Sequence, residues 1–95
     1  MEIWFALDGS TLYMLAGGRH TADWVKNIEH QPTVRVRIRD LVLHGTGRIV
    51  ADQSAEAIRA RELVGPKYGE WQPGQPHTGW TWTALPVAVD LHVDG

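Results

Sequence analysis

The sequence predicts one small, mainly β domain: a β-barrel with two short helices. A chain of 95 residues has room for a single hydrophobic core. Ten glycines and five prolines divide it into short segments, five with strand patterns and two with helical patterns. Because most connections are of hairpin length, we expect antiparallel pairing, in a closed or split barrel rather than a doubly wound sheet.

The first two strands are predicted to form a hairpin. Residues 2–7 contain a continuous apolar run, and Asp8-Gly9 follows it. Glycine adopts the positive φ that a tight hairpin turn requires. Residues 11–16 are the predicted return strand, which Gly17-Gly18 ends.

A short helix is predicted next, capped by the hydroxyl of Thr21. Trp24, Val25 and Ile28 have the spacing of one apolar helix face. Pro32 ends this element because the residue before a proline disfavours helical backbone.

Two strands are predicted in the middle of the chain. In residues 33–39, apolar side chains alternate with arginines, which indicates a half-exposed strand. The arginines are Arg35, Arg37 and Arg39. Residues 41–50 form the next strand, in which Gly45 and Gly47 predict a bend or bulge.

The last third of the chain is predicted to be helix, loop and strand. Asp52 or Ser54 caps a helix that runs to about Val64. Residues 65–79 contain three prolines and four glycines, so a loop is expected there. Residues 80–93 return to a strand pattern.

The composition excludes or disfavours several kinds of catalytic, metal-binding and nucleic-acid-binding site. The absence of cysteine excludes disulfides, thiolate nucleophiles and cysteine-ligated metals. The two serines, Ser10 and Ser54, have structural explanations in a turn and a helix cap, and the five histidines lack metal-binding spacing. A net charge of −2 gives no general attraction to nucleic acid, so we expect no such partner and read the arginine strand as a solvated face.

The sequence also bears on location. No apolar run approaches the roughly 20 residues that a transmembrane helix needs. The start, Met1-Glu2, has neither the basic nor the apolar region of a signal peptide. We therefore expect a cytoplasmic protein without a transmembrane segment.

One candidate binding segment follows the second strand. It consists of Ala16, Gly17, Gly18, Arg19 and His20. Glycines allow close backbone approach, and free amides with an arginine can hold a phosphate near a helix N-terminus. A plain β-to-α connection also needs glycine, so the pattern alone leaves both interpretations open.

A second candidate site is a set of aromatic residues, several of them in or beside the predicted loop. The set is Trp24, Tyr68, Trp71, Trp80 and Trp82. Flat side chains of this kind can sandwich a planar ring. They can equally plug a barrel end or form a dimer interface.

Several motifs resemble the deazaflavin-dependent nitroreductase (quinone reductase) family. They are EIWFALDG at 2–9, YMLAGG at 13–18, WVKNI at 24–28, PTVRV at 32–36, YGEWQ at 68–72 and LPVAV at 85–89. The similarity covers nearly the whole chain. Its most specific part is the tryptophan–asparagine–proline–valine pattern.

The resemblance implies a split β-barrel of the FMN-binding type, usually a homodimer. It implies hydride transfer from reduced coenzyme F420 to a quinone or nitro acceptor, with FMN as the alternative cofactor. The coenzyme's polar tail is then expected at residues 16–20, and its ring against Trp24 and Trp71. Tyr68 is the expected catalytic residue, donating a hydrogen bond to the acceptor.

One departure from the family pattern matters. The family has an earlier strand that ends in a Gly-(Arg/Lys)-Ser-Gly-Arg loop holding the coenzyme phosphate, whereas this sequence starts after it. We therefore expect residues 1–95 to form a single split-barrel domain that lacks the first strand. The alternative function is a truncated or cofactor-free barrel that acts as a ligand-binding or structural dimer module.

Overall fold

The computed structural model describes residues 4–38 and 40–92. The strands are β1 (Phe5–Asp8), β2 (Thr11–Ala16), β3 (Thr33–Ile38), β4 (Leu41–Ile49) and β5 (Leu85–Leu91). The helices are α1 (Asp23–His30), α2 (Ala55–Lys67) and α3 (Trp80–Thr83). One turn of 3-10 helix, Arg19–Thr21, lies between β2 and α1.

The five strands form one antiparallel sheet in the order β1-β2-β5-β4-β3. Within the described residues β1 and β3 are the edges and do not pair with each other, so the sheet is not closed. This confirms the mainly β, antiparallel prediction and is consistent with a split-barrel-like fold. The part of the chain that the structure describes contains three α-helices rather than the predicted two.

The predicted hairpin is confirmed. Asp8 pairs with Thr11, and Gly9 between them has a φ of 62°. The return strand has the predicted bounds, residues 11–16. The first strand begins at Phe5, and the first two residues of its predicted range, 2 and 3, lie outside the described part of the chain.

The sheet buries side chains on both faces, as β2 illustrates. Leu12 and Met14 pack on the α1 side, whereas Tyr13 and Leu15 pack on the α2 side. Because successive side chains of a strand point to opposite faces, a run that is apolar throughout must be covered on both sides. The two faces therefore form two separate clusters of the core.

The bulge predicted at Gly45 and Gly47 is wrong. The register runs without a break from β4 to β3 on one side and to β5 on the other. Close packing explains the glycines instead. A Cβ at Gly47 would lie 2.8 Å from the side chain of Ile28, and one at Gly45 would lie 2.5 Å from Val89.

The predicted cap by Thr21 is also wrong. Helix α1 begins at Asp23 with Ala22 as its N-cap residue, and no side chain accepts a hydrogen bond there. The Thr21 hydroxyl donates to the carbonyl of Gly18 instead. The 3-10 turn uses this threonine to close the connection, so it is not available as a helix cap.

The second helix extends beyond its predicted end. Ser54 caps it by accepting a hydrogen bond from the Ala57 amide, as one of the two predicted caps. It continues through Pro66 to Lys67 rather than ending near residue 64. A proline in the last turn removes only one intrahelical hydrogen bond, so the helix can continue through it. The predicted end of the helix is therefore about one turn too early.

The strand predicted over residues 80–93 is shorter than expected. Trp80–Thr83 form the helical turn α3, and β5 covers Leu85–Leu91. The turn closes through hydrogen bonds from Thr83 and Ala84 back to Gly79 and Trp80. Val93, like Arg39 in the alternating arginine strand, lies outside the described residues.

Candidate functional site

Residues 16–20, which we call the corner, connect β2 to α1. Ala16 is buried, Arg19 is partly exposed, and Gly17, Gly18 and His20 are exposed. Arg19 has a φ of 52° and is the one described residue other than glycine with a positive φ. Such a backbone costs free energy in a non-glycine residue and persists only where surrounding contacts hold it.

The side chain of Arg19 supplies those contacts. Its Nη2 donates to Oδ2 of Asp52, and its Nη1 donates to the carbonyl of Thr83 at 2.5 Å. Burial by itself would raise the pKa of Asp52, but hydrogen bonds from Arg19 and Arg61 outweigh it and lower the pKa. Asp52 is therefore a carboxylate at neutral pH, and the guanidinium is held at the surface of the corner.

An aromatic row lies against the corner. It consists of Trp4, Tyr68 and Trp80. A Cβ at Gly17 would lie 2.6 Å from Nε1 of Trp80, so only glycine lets this indole lie on the backbone. Trp80 meets Trp4 edge-on at 4.8 Å, and Trp4 stacks on Tyr68 at 4.7 Å between ring centroids and 1° between planes.

Tyr68 also contacts the edge of the sheet. Its hydroxyl oxygen accepts a hydrogen bond of 3.3 Å from the amide of Phe5, and the neighbouring Lys67 donates to the Phe5 carbonyl at 2.9 Å. A tyrosine hydroxyl that accepts a hydrogen bond can still donate its own proton. Tyr68 can therefore serve as a donor to a ligand in the aromatic row.

Trp71 belongs to a different aromatic cluster. It is buried, its Nε1 donates to the carbonyl of Pro76 at 3.1 Å, and its ring meets that of Trp82 at 5.1 Å. His77 stacks on Trp82 at 3.7 Å. These contacts close the loop that follows α2.

Trp24 lies on the α1 face, opposite Tyr68. It lines an open groove of about 720 Å³ between α1 and the face of the sheet on which α1 packs. The groove is lined mainly by apolar side chains, including Phe5, Leu12, Met14, Val36 and Val89. We call this cavity the groove.

The predicted site residues are thus partly brought together. The corner and Tyr68 are connected through two tryptophans, because Trp80 contacts Gly17 and Trp4 stacks on Tyr68. Trp24 and Trp71 lie elsewhere in the fold. The sequence pattern does not distinguish Trp4, because it lies within a continuous apolar run. The same pattern indicates only a helix cap for Asp52.

The corner and the row fit a flat ligand that carries an anion. The stacked Trp4–Tyr68 pair shows that an indole here already accepts a planar ring on its face. The backbone amides of the exposed residues Gly17 and Gly18, with the Arg19 guanidinium, are donor types suited to phosphate. Among residues 4–38 and 40–92, no three histidine or carboxylate side chains form a metal-binding group.

An unclosed antiparallel barrel with such a corner defines a split-barrel-like protein equipped to hold a flat, anionic cofactor. A comparison with protein families matches residues 3–92 to the F420H(2)-dependent quinone reductase family. The chain belongs to this family. Its cofactor is accordingly coenzyme F420, whereas the FMN alternative receives no support from the match.

One further comparison and one observation on the helices complete this picture. No curated protein matches the chain at a significant level. In the described part of the chain, no helix is both long and apolar enough to cross a membrane.

Proposed function

We propose that this quinone reductase holds the anionic tail of coenzyme F420 at the corner and its ring beside the aromatic row. We further propose that nitro compounds serve as acceptors besides quinones. The observation that carries this placement is the packing of the Trp80 indole on the Gly17 backbone. This contact puts a flat apolar surface against Gly17, which directly precedes Gly18 and Arg19, the other proposed anion donors.

The tail would be held by charge and by backbone donors. Arg19 is partly exposed, and two hydrogen bonds use two of the five N–H groups of its guanidinium. The remaining N–H groups and the backbone amides of the exposed glycines would receive phosphate oxygens. His20, also exposed, would add a further donor.

The ring would lie against the row, with Tyr68 as the residue that acts on the acceptor. The reduced coenzyme supplies a hydride when bound. Negative charge then develops on a quinone or nitro oxygen of the acceptor. The Tyr68 hydroxyl, held by the Phe5 amide, would donate its proton to that oxygen as a hydrogen bond and so lower the barrier.

The groove is the second candidate for the ring. Its volume of about 720 Å³ suits a cofactor, and Trp24 offers a flat wall. Trp71 has a supporting role in either arrangement, because its contacts order the loop that leads from Tyr68 to Trp80. We place the ring in the aromatic row because Trp80 of the row contacts Gly17 of the corner.

The test is a titration with oxidised coenzyme F420 and, separately, with FMN, followed by tryptophan fluorescence. We expect quenching with F420 because the row contains two tryptophans. Arg19→Ala should weaken binding by about 1–2 kcal/mol, or roughly tenfold, since a charge-assisted contact to phosphate is lost. The exposed Arg59 on α2, which pairs with Asp8 and lines neither the corner nor the groove, provides the matched control, and Arg59→Ala should leave the affinity unchanged.

Two results would overturn the proposal. If neither cofactor quenches tryptophan fluorescence at sub-millimolar concentration, the cofactor-free module is the better description. If Arg59→Ala weakens binding as much as Arg19→Ala, the tail is not held specifically at the corner.

We also propose that the protein is a homodimer. Leu7, Leu41 and Val42 expose 50%, 59% and 44% of their surface, respectively. They lie at or beside the two sheet edges, where a second copy would cover them. Light scattering at micromolar concentration should give twice the mass of one chain, and the mass of one chain would contradict this.

A further inference from the structure

We infer that Asp52 and Arg61 are positioning residues: the relay Arg61–Asp52–Arg19 holds the guanidinium that receives the coenzyme's anionic tail. This inference rests on the proposed function, since it assumes that Arg19 binds the tail. Neither Asp52 nor Arg61 needs to touch the coenzyme.

The relay begins at Arg61, whose side chain is almost fully buried. It is 5% exposed and makes three hydrogen bonds: to the carbonyl and to Oδ1 of Asp52, at 3.0 and 2.9 Å, and to the carbonyl of Ala84 at 3.0 Å. Its Nε has no partner among the described residues. Burying a charge is costly, so its retention here points to a role in fixing what it binds.

Asp52 divides its carboxylate between two arginines. Oδ1 accepts from Arg61 and Oδ2 accepts from Arg19. Arg61 holds both the backbone and the side chain of Asp52, so this carboxylate has contacts that are independent of Arg19. The exposed end of the relay is therefore oriented by its buried end.

At the exposed end, Arg19 is held at both its backbone and its guanidinium. Its positive φ turns the chain, and its side chain reaches back to Asp52 and Thr83. The side chain keeps 38% of its surface exposed, so an anion can reach it. Fixing an arginine in advance reduces the entropy lost when it binds a ligand.

The charges distinguish positioning from simple attraction. Two guanidiniums and one carboxylate leave one net positive charge, so the buried Arg61 offsets the charge of Asp52. Asp52→Asn would raise this local charge, and simple attraction then predicts tighter binding of an anion. Positioning predicts weaker binding, because Arg19 loses its ionic partner.

The experiment compares Asp52→Asn with Asp23→Asn by titration with oxidised F420. Asp23 is exposed in the first turn of α1, four residues from Arg19, so its variant makes the same change in charge near the corner. We expect Asp52→Asn to bind F420 about fivefold or more weakly, and Asp23→Asn to bind as well as wild type or slightly better. Equal or tighter binding by Asp52→Asn would overturn the inference.

A second measurement needs no cofactor. In ¹⁵N relaxation of arginine Nε–H groups, Arg19 should be ordered in wild type and mobile in Asp52→Asn. Arg61→Lys keeps the charge but not the forked hydrogen bonds, so it should also mobilise Arg19 although Asp52 is intact. If Arg61→Lys does not fold, as thermal unfolding would reveal, the Asp52→Asn arm decides alone.

The two measurements separate this inference from the proposed function. In the first case, the wild-type protein does not bind F420, but its Arg19 is ordered and becomes mobile in Asp52→Asn. This result would contradict the proposed function and support the relay. In the second case, the wild-type protein binds F420, but Arg19 is as mobile in the wild-type protein as in Asp52→Asn. This result would support the proposed function and contradict the relay.

Discussion

The two faces of the sheet are closed to different degrees. On one face the 13 residues of α2 cover the strands, and residues of the candidate site flank both of its ends: Asp52 precedes the N-cap Ser54, and Tyr68 is the C-cap. On the other face the eight residues of α1 leave the groove open. Polar and aromatic groups that could serve a cofactor are therefore concentrated on the face that is better packed.

Small side chains and ion pairs explain the tighter closure. Ala57 and Ala60 of α2 and Ala88 of β5 share one cluster, so helix and sheet can approach closely. Arg48 of β4 then ties α2 to the sheet. It donates to Glu56 at 2.5 and 2.6 Å and to Asp90 at 2.7 Å. The α1 face has no such link to its helix among the contacts seen in the described residues.

Neighbouring residues of β2 give the largest expected effect. Leu15 is enclosed on the α2 face, whereas Met14 borders the groove. Leu15→Ala should lower the free energy of unfolding by about 3 kcal/mol and Met14→Ala by about 1.5 kcal/mol, since a side chain at an open groove has fewer packed neighbours to lose. Urea unfolding of both variants measures the difference, and equal losses would mean that the groove is covered in solution.

The next effect is on catalysis at the closed face. Tyr68→Phe should leave F420 affinity unchanged and lower the rate of quinone reduction about tenfold, equivalent to about 1.4 kcal/mol, because one hydrogen bond to the developing charge is lost. Phenylalanine keeps the stacking on Trp4, so a loss of affinity is not expected. Unchanged turnover would remove Tyr68 from the mechanism.

Acid should loosen the α2 face. Hydrogen bonds from Arg48 lower the pKa of Glu56 and the pKa of Asp90. Burial acts in the opposite direction on both carboxyl groups, but its effect is smaller. A carboxyl group whose pKa is lower in the folded state than in the unfolded state stabilises the fold at pH values above its unfolded pKa. This stabilisation is lost as the pH falls through the folded-state pKa. The loss between about pH 5 and pH 3 should be about 1 kcal/mol, because these side chains remain partly exposed.

Glu56→Gln should flatten this pH dependence in thermal unfolding. Glu62, exposed on the same helix, provides the control, and Glu62→Gln should leave the curve unchanged. The same flattening in both variants would show that general charge, not the link to Arg48, sets the acid response.

The smallest effect is expected at the open face. Trp24→Leu should change F420 affinity less than twofold, because Trp24 faces the groove and not the aromatic row. The fluorescence titration measures this directly, with the row tryptophans as reporters. A tenfold loss would move the ring from the aromatic row into the groove.

Local signals predicted much of the fold. The Asp8-Gly9 turn, the strand at residues 11–16 and the Ser54 cap depend on neighbours in the chain, and the structure has them as predicted. Where distant contacts compete with local pattern, prediction was wrong. The β-prone residues 80–83 form a helical turn whose Trp80 lies on Gly17, and Thr81 is buried near Gly65.

The candidate site divides in the same way. Composition and residue order are enough to show that residues 16–20 combine glycines with a cation and that aromatic residues cluster late in the chain. The packing of helices on the sheet is needed to show that Tyr68 is connected to the corner through Trp4 and Trp80, whereas Trp24 faces the groove. This packing also joins Arg19 to Asp52 across 33 residues, because pairing between such distant side chains depends on how helices and strands pack.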